Sequence, residues 1–312
     1  MPMINRRNFI AKNFFSLSGF FLPRCVEDFS IRKFINNRFV LVYAEGLHLK
    51  LHEYVDSKEA EERIAQQVAK LKVLNRIREE GFPVVLIGGG NMMCPSTAHN
   101  FSTIESDFAN ASLLQYDAAI PGESELASGI EVWTKIAEQV NFFWLACNYV
   151  VRDTPFEKLV KPFMVKDFGG MRIGITGIGM QQGERGFAHG WESVEFIPPE
   201  LALNRTAAVL KEKGCDWVVC FNHGGSKFHL RNSMDAWLAK ESEQVDLIFG
   251  CHTRYPASGV RLYTNKSGNK TAVIQISEQE NFLARIDFNL SVKGGNKTLT
   301  FNELSTPKKN AE

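Results

Sequence analysis

Apolar runs of strand length recur along this chain, and each stops at a glycine or a polar turn. FVLVYA starts at Phe39, PVVLIG at Pro83, VNFFWLAC at Val140, MRIGITGIG at Met171, WVVCF at Trp217 and VDLIFG at Val245. A strand that is apolar on both sides must be covered on both sides, which is the habit of parallel sheets between helices. Helical patterns fall between these runs: Ser57 to Glu80 (acidic early, basic late), a turn followed by a helix through Ile136, Pro199 to Lys213, and Asn232 to Glu243. The C-terminal stretch changes texture. GVRLYTN, TAVIQIS, FLARIDFNLS and KTLTFNEL alternate in polarity and are separated by Gly/Asn turns, as in antiparallel hairpins. The sum is an α/β chain with a mixed sheet edge, without internal repeat or linker.

Composition excludes several classes. The chain has 312 residues, 44% of them hydrophobic, and a formal net charge of +1. That is enough for one large core. The basic residues are dispersed, so there is no electrostatic footprint for nucleic acid and no polybasic run for an anionic membrane. The six cysteines form no CxxC pair. Cys147, Cys215, Cys220 and Cys251 sit in apolar runs, where thiols behave as small hydrophobes, which argues against a disulfide framework. The tryptophans (Trp133, Trp144, Trp191, Trp217, Trp237) show no platform spacing and are expected in the core.

Residues 1–30 read as an export signal. Arg6 and Arg7 are followed by Phe9, Lys12 and an apolar stretch from Phe14 to Leu22 that is too short to span a bilayer, the layout of a twin-arginine signal for a periplasmic or cell-envelope protein. Cys25 stands three residues beyond Leu22, as at a lipoprotein cleavage site, although Pro23 and Arg24 replace the small residues such a site uses. Membrane anchoring through Cys25 and an amphipathic N-terminal helix remain open alternatives. No other segment could cross a membrane.

Five strand tips end in polar turns: Glu45/His48, Asn91, Glu123/Ser124, Asn222/His223 and His252/Arg254. Loops at the carboxyl ends of strands converge in α/β sheets, so ligands collect there. A lone histidine in a turn is ordinarily a satisfied polar side chain; the ordered set carries more weight.

These residues resemble the metal-binding domain of the calcineurin-like metallophosphoesterases, on the 5'-nucleotidase branch. YDAAIPGESELASGIEVWTKIAEQVNFFWLACNYV follows that branch's Tyr-Asp-Ala to Gly-Asn-His-Glu segment, and GGMRIGITGIG, VLKEKGCDWVVCFNHGG and VDLIFGCHTRYP match later segments in order. The likeness runs from Phe39 to Leu290, within a domain expected at residues 36–305. It implies a four-layer αββα sandwich, two mixed sheets flanked by helices, and a two-metal phosphoesterase centre.

The resemblance also implies damage. Gly46 replaces the family's first Asp, with His48 kept, and Asn91 replaces the bridging Asp. Gly-Asn-His-Glu reads Gly122-Glu123-Ser124-Glu125, and the second His of Gly-His-x-His is Arg254, with His223 and His252 kept. One metal would be left with His48 and an amide, too few ligands for tight binding. A second could keep Asn91, Glu123, His223 and His252. The alternative is metal-free, with Glu123 and Arg254 paired; Mn, Zn, Fe and Mg are not distinguished. Arg254 would then stand where a cation sat, or hold an anion. Ser124 takes the place of the residue that protonates the leaving group, a role a hydroxyl cannot fill near neutral pH. No confident catalytic residue is left.

Two functions follow. One is an exported pseudoenzyme serving as a subunit of a cell-envelope complex. The other is a mono-metal phosphoester hydrolase working with a separate nucleotide-binding chain, since the sequence ends in a polar tail at 306–312 where the branch continues into a base-stacking domain. A third reading, anion binding by Arg254 and the Gly88–Gly90 turn, predicts phosphate binding without turnover.

Overall fold

The computed structural model describes residues 38–44, 57–92, 114–180, 194–224, 233–253, 259–277, 282–290 and 297–305. All belong to the compact unit Asn36–Glu312. The readings placed on residues 1–30, Cys25, Glu45, Gly46, His48, Trp191, Arg254 and 306–312 lie outside the described residues.

Strand β1 (Arg38–Ala44) is followed by helix α1 (Ser57–Glu79), β2 (Val84–Gly88), β3 (Ala118–Ala119), α2 (Glu123–Ala127), α3 (Ile130–Ala137), β4 (Phe143–Leu145) and β5 (Tyr149–Val150). Then come β6 (Val160–Lys161), β7 (Phe163–Asp167), β8 (Arg172–Ile178), β9 (Glu195–Phe196), α4 (Pro199–Glu212), β10 (Trp217–Asn222) and α5 (Met234–Glu241). Strands β11 (Leu247–Thr253), β12 (Val260–Thr264), β13 (Lys270–Ser277), β14 (Phe282–Leu290) and β15 (Lys297–Ser305) complete the described chain. The single helix expected through Ile136 is two, because Gly129 takes φ 85° between them, a left-handed state that glycine adopts without steric cost. The stretch after VNFFWLACN, with no clear pattern of its own, supplies β6 and β7.

One sheet is seven-stranded in the order β15-β14-β1-β2-β3-β4-β6, and a six-stranded sheet runs β12-β13-β11-β10-β8-β7. Both are mixed. β1, β2, β3, β4 and β6 are parallel, with antiparallel β14 and β15 at one edge; β13, β11, β10 and β8 are parallel, with antiparallel β12 and β7 outside them.

Alternation sorts each strand into two cores. Phe39, Leu41 and Tyr43 of β1 face Val219 and Phe221 of β10 and Phe249 of β11 between the sheets. The Tyr43 ring stacks on Phe221 at 5.9 Å and tilts against Phe249 at 4.4 Å. Val40, Val42 and Ala44 face outward, packed with Leu74 and Ile77 of α1 and Trp133 and Ile136 of α3. Val218 and Cys220 face the opposite way, with Leu203, Ala207 and Leu210 of α4 and Leu238 and Ala239 of α5. The layers are thus helix, sheet, sheet, helix, with burial on both faces of each sheet explaining the continuous apolar runs. Trp133, Trp144 and Trp217 are core residues, and Trp133 meets Trp144 edge-on at 5.3 Å.

The sheets come closest where β8 crosses β4. A Cβ on Gly177 would overlap the Leu145 carbonyl oxygen and lie 2.6 Å from Ile120 Cδ1. The Gly177 carbonyl accepts the Cys147 N–H at 2.8 Å, so the strand ends are fixed across the two layers. Gly177→Val is expected to lose about 3 kcal/mol by overpacking against backbone, read as a lower urea midpoint. Wild-type stability in this variant would show that the sheets are not in contact there.

Candidate functional site

The ends of β2, β3 and β10 meet at one end of the sandwich. After β2 the chain turns through Gly90 (φ 96°) and Asn91 (φ 52°), left-handed positions that Gly and Asn tolerate best. After β3 it passes Ile120, Pro121 and Gly122 into α2. A Cβ on Gly90 would lie 2.8 Å from both His223 Nδ1 and the Ile120 carbonyl oxygen. A Cβ on Gly122 would lie 2.5 Å from Asn91 Oδ1 and 2.7 Å from His223 Nε2. No side chain fits at either turn, and that closeness brings Asn91, Gly122 and His223 together.

Glu125 holds this arrangement. Its side chain is wholly buried. One carboxylate oxygen accepts the Asn91 N–H at 2.9 Å and the Gly122 N–H at 2.7 Å; the other accepts the Met92 N–H at 2.7 Å and the Ser124 hydroxyl at 3.3 Å. Glu125 is the third residue of α2, so the bond to Gly122 is the helix-capping half of the contact, and the bonds to Asn91 and Met92 join a second loop to it. The Asn91 carboxamide oxygen accepts the Ser124 N–H at 3.0 Å. Asn91 and Ser124 are both buried.

His223 follows β10 and is buried. Its Nδ1 bonds the Gly89 carbonyl at 2.5 Å. A carbonyl only accepts, so Nδ1 carries the proton, and in the neutral ring Nε2 keeps its lone pair on the side of Gly122 and Asn91. The His223 N–H donates to Ile178 of β8 at 2.8 Å, anchoring the turn to the neighbouring strand.

A second clasp lies alongside. Buried Asn148 donates to the Gly179 carbonyl and accepts the Gly179 N–H, both at 2.9 Å. The Tyr149 hydroxyl donates to the Met180 carbonyl, whose N–H reaches Pro121 at 3.3 Å. Burial, and then the Glu125 charge, pushes the Tyr149 phenol well up, so it stays a neutral donor.

Glu123 opens α2 and is partly exposed. His252 lies in β11, its side chain outside the described residues, as are His48 and Arg254 altogether. Of the sites expected from sequence, the structure therefore joins Asn91, Ser124 and His223. Among the described residues, no three His, Cys, Asp or Glu side chains gather as metal ligands would. The described residues do not by themselves supply the ligands of a dinuclear centre. Glu125 is bonded to backbone, the Asn91 oxygen to Ser124, and His223 Nε2 is the imidazole donor at this point. Glu125, Asn148 and Tyr149 escaped the sequence reading; for Glu125 the available signal was its spacing of three from Gly122, a capping pattern.

Glu125→Gln turns an NH2 toward at least one backbone N–H whichever way the amide lies. It is expected to cost about 3 kcal/mol, measured by urea denaturation at unchanged m. A loss under about 0.5 kcal/mol, the range of ordinary surface changes, would contradict the clasp.

No protein-family profile matches the chain. It is 26% identical over 235 residues to a 5'-nucleotidase of Vibrio cholerae, an alignment covering 68% of this chain and 42% of that protein. The chain thus spans about two-fifths of the length of that curated relative. Among solved structures it resembles a 5'-nucleotidase precursor from Thermus thermophilus, with a TM-score of 0.69 and 18% identity over 86% of this chain and 54% of that one. It also resembles the calcineurin-like phosphoesterase YfkN from Bacillus subtilis, with a TM-score of 0.63 and 16% identity over 87% of this chain and 91% of the other. The sandwich and these likenesses agree: the chain has the fold of the calcineurin-like phosphoesterases and is similar in sequence to 5'-nucleotidases.

Proposed function

We propose that this protein has kept the metallophosphoesterase sandwich while losing its dinuclear centre, and acts as an exported, catalytically impaired subunit of a cell-envelope complex. The observation that carries the reading is the fate of Asn91 and Ser124. At the positions of a bridging carboxylate and a general acid stand a carboxamide bonded to a backbone N–H and a buried hydroxyl bonded to Glu125. Neither group is set up to bridge two cations or to deliver a proton. Losing general-acid transfer alone lowers rates by about 10²–10⁴-fold. The twin-arginine pattern of residues 1–30 supports export, and Cys25 stands where a lipoprotein carries its lipidated cysteine. No helix among the described residues is long and apolar enough to cross a membrane.

A second reading is favoured by His223. With Nδ1 bonded to Gly89, its Nε2 is the nitrogen that a metal would take. With Asn91, whose carboxamide oxygen has a second lone pair, and with Glu123 and His252, it would supply donors to a single divalent ion, which when bound would polarise a phosphoryl oxygen. On this reading the protein is a mono-metal phosphoester hydrolase, and base recognition comes from a separate nucleotidase C-terminal-type chain. Arg254 would pair with Glu123 or hold an anion in either case.

The full chain is to be assayed on p-nitrophenyl phosphate with added Mn2+, beside the Vibrio 5'-nucleotidase. The impaired-subunit reading predicts a rate at least about 10²-fold lower. A comparable rate, abolished in His223→Ala, would overturn it and establish the hydrolase.

A further inference from the structure

We infer that Asp235 is a positioning residue that sets the two histidine-bearing strand ends, those of His223 and His252, in their mutual place. The inference rests on the single-ion reading of those histidines, and it comes from the last row of regular pairing in the second sheet. Asn222 of β10 pairs with Gly250 of β11, and Gly250 pairs with Gln275 of β13. Asp235, on α5, lies over all three. Its carboxylate accepts Asn222 Nδ2 at 2.7 Å on one oxygen and Gln275 Nε2 at 2.6 Å on the other. A Cβ on Gly250 would overlap the carboxylate and come 2.6 Å from Asp235 Cγ, so the glycine is what lets the side chain lie across the row.

Both histidines come directly after this row. His223 follows Asn222, whose Oδ1 accepts the Gly224 N–H at 3.0 Å and so fixes the turn around the ring. In β11 the register breaks just past Gly250. Gly250 faces Gln275 but Thr253 faces Ser277, three steps along β11 against two along β13. The extra residue falls at Cys251–Thr253, the segment that holds His252. An extra residue re-aims those beyond it, and the row under Asp235 is the last regular pairing before it.

The site is also a poor choice for stability alone. Asp235, Asn222 and Gln275 are all buried, and burial holds the Asp235 carboxyl above its ordinary range. Apolar side chains of similar volume commonly serve a core as well as or better than a buried charge.

The test uses the full chain and Mn2+ as the probe. D235N puts an NH2 opposite one of two amide donors. D235N/Q275E restores a complete set, with the new amide accepting from Asn222 and donating to the new carboxylate. Mn2+ affinity is read by calorimetry, the His223 ring by long-range 1H–15N correlation without metal, and folded fraction by circular dichroism. D235N is expected to weaken Mn2+ binding at least tenfold and to shift the His223 ring nitrogens while still folded, and the double variant to recover affinity within threefold. Unchanged affinity and ring signals in D235N, or an affinity loss matched by the loss of folded protein, would overturn the proposal. If D235N does not fold, the double variant decides: folding with wild-type ring signals supports the role, and folding with shifted signals overturns it. If the unmodified chain binds no Mn2+, the single-ion reading fails, and the His223 signals alone decide the role of Asp235.

Discussion

The site depends on one carboxylate held by backbone. Glu125 gathers N–H groups from Asn91, Met92 and Gly122 in a place closed to water. Each of those donors would cost free energy if left alone in the core, so the charge and the loops stabilise one another. The consequence is an end of the sandwich whose turns are set from inside. Glycines at 90 and 122 let the backbones touch, and the His223 ring closes the gap.

That arrangement changes the meaning of the substitutions. A dinuclear site needs carboxylates free to face cations. Here the Glu125 carboxylate faces backbone amides instead, and the Asn91 carboxamide is bonded to Ser124. Glu123, the one acidic replacement, sits on the partly exposed first turn of a short helix. The impaired-subunit reading proposed above rests on this arrangement of Asn91, Ser124 and Glu125.

Much of the fold was legible because its strands are buried on both faces. FVLVYA, WVVCF and VDLIFG can be little else. The short pieces were not legible. β3 and β5 have two residues each, and their pairing is set by neighbours rather than by any local pattern. The site was half legible. Asn91, Ser124 and His223 stand out as polar residues after apolar runs. Glu125 and Asp235 do not, because a carboxylate in a helix usually faces water, and only tertiary contact reveals that these two face buried amides. The break at Gly129 was hidden for a similar reason: one glycine within a helical pattern is often tolerated.

The central proposal, that this chain does not hold a two-ion centre, is tested most directly by anomalous diffraction at the manganese edge from crystals of the full chain soaked in Mn2+. The account predicts at most one peak, beside His223 Nε2. Two peaks about 3.5–4 Å apart, the spacing of a dinuclear centre, bridged at Asn91 would contradict it.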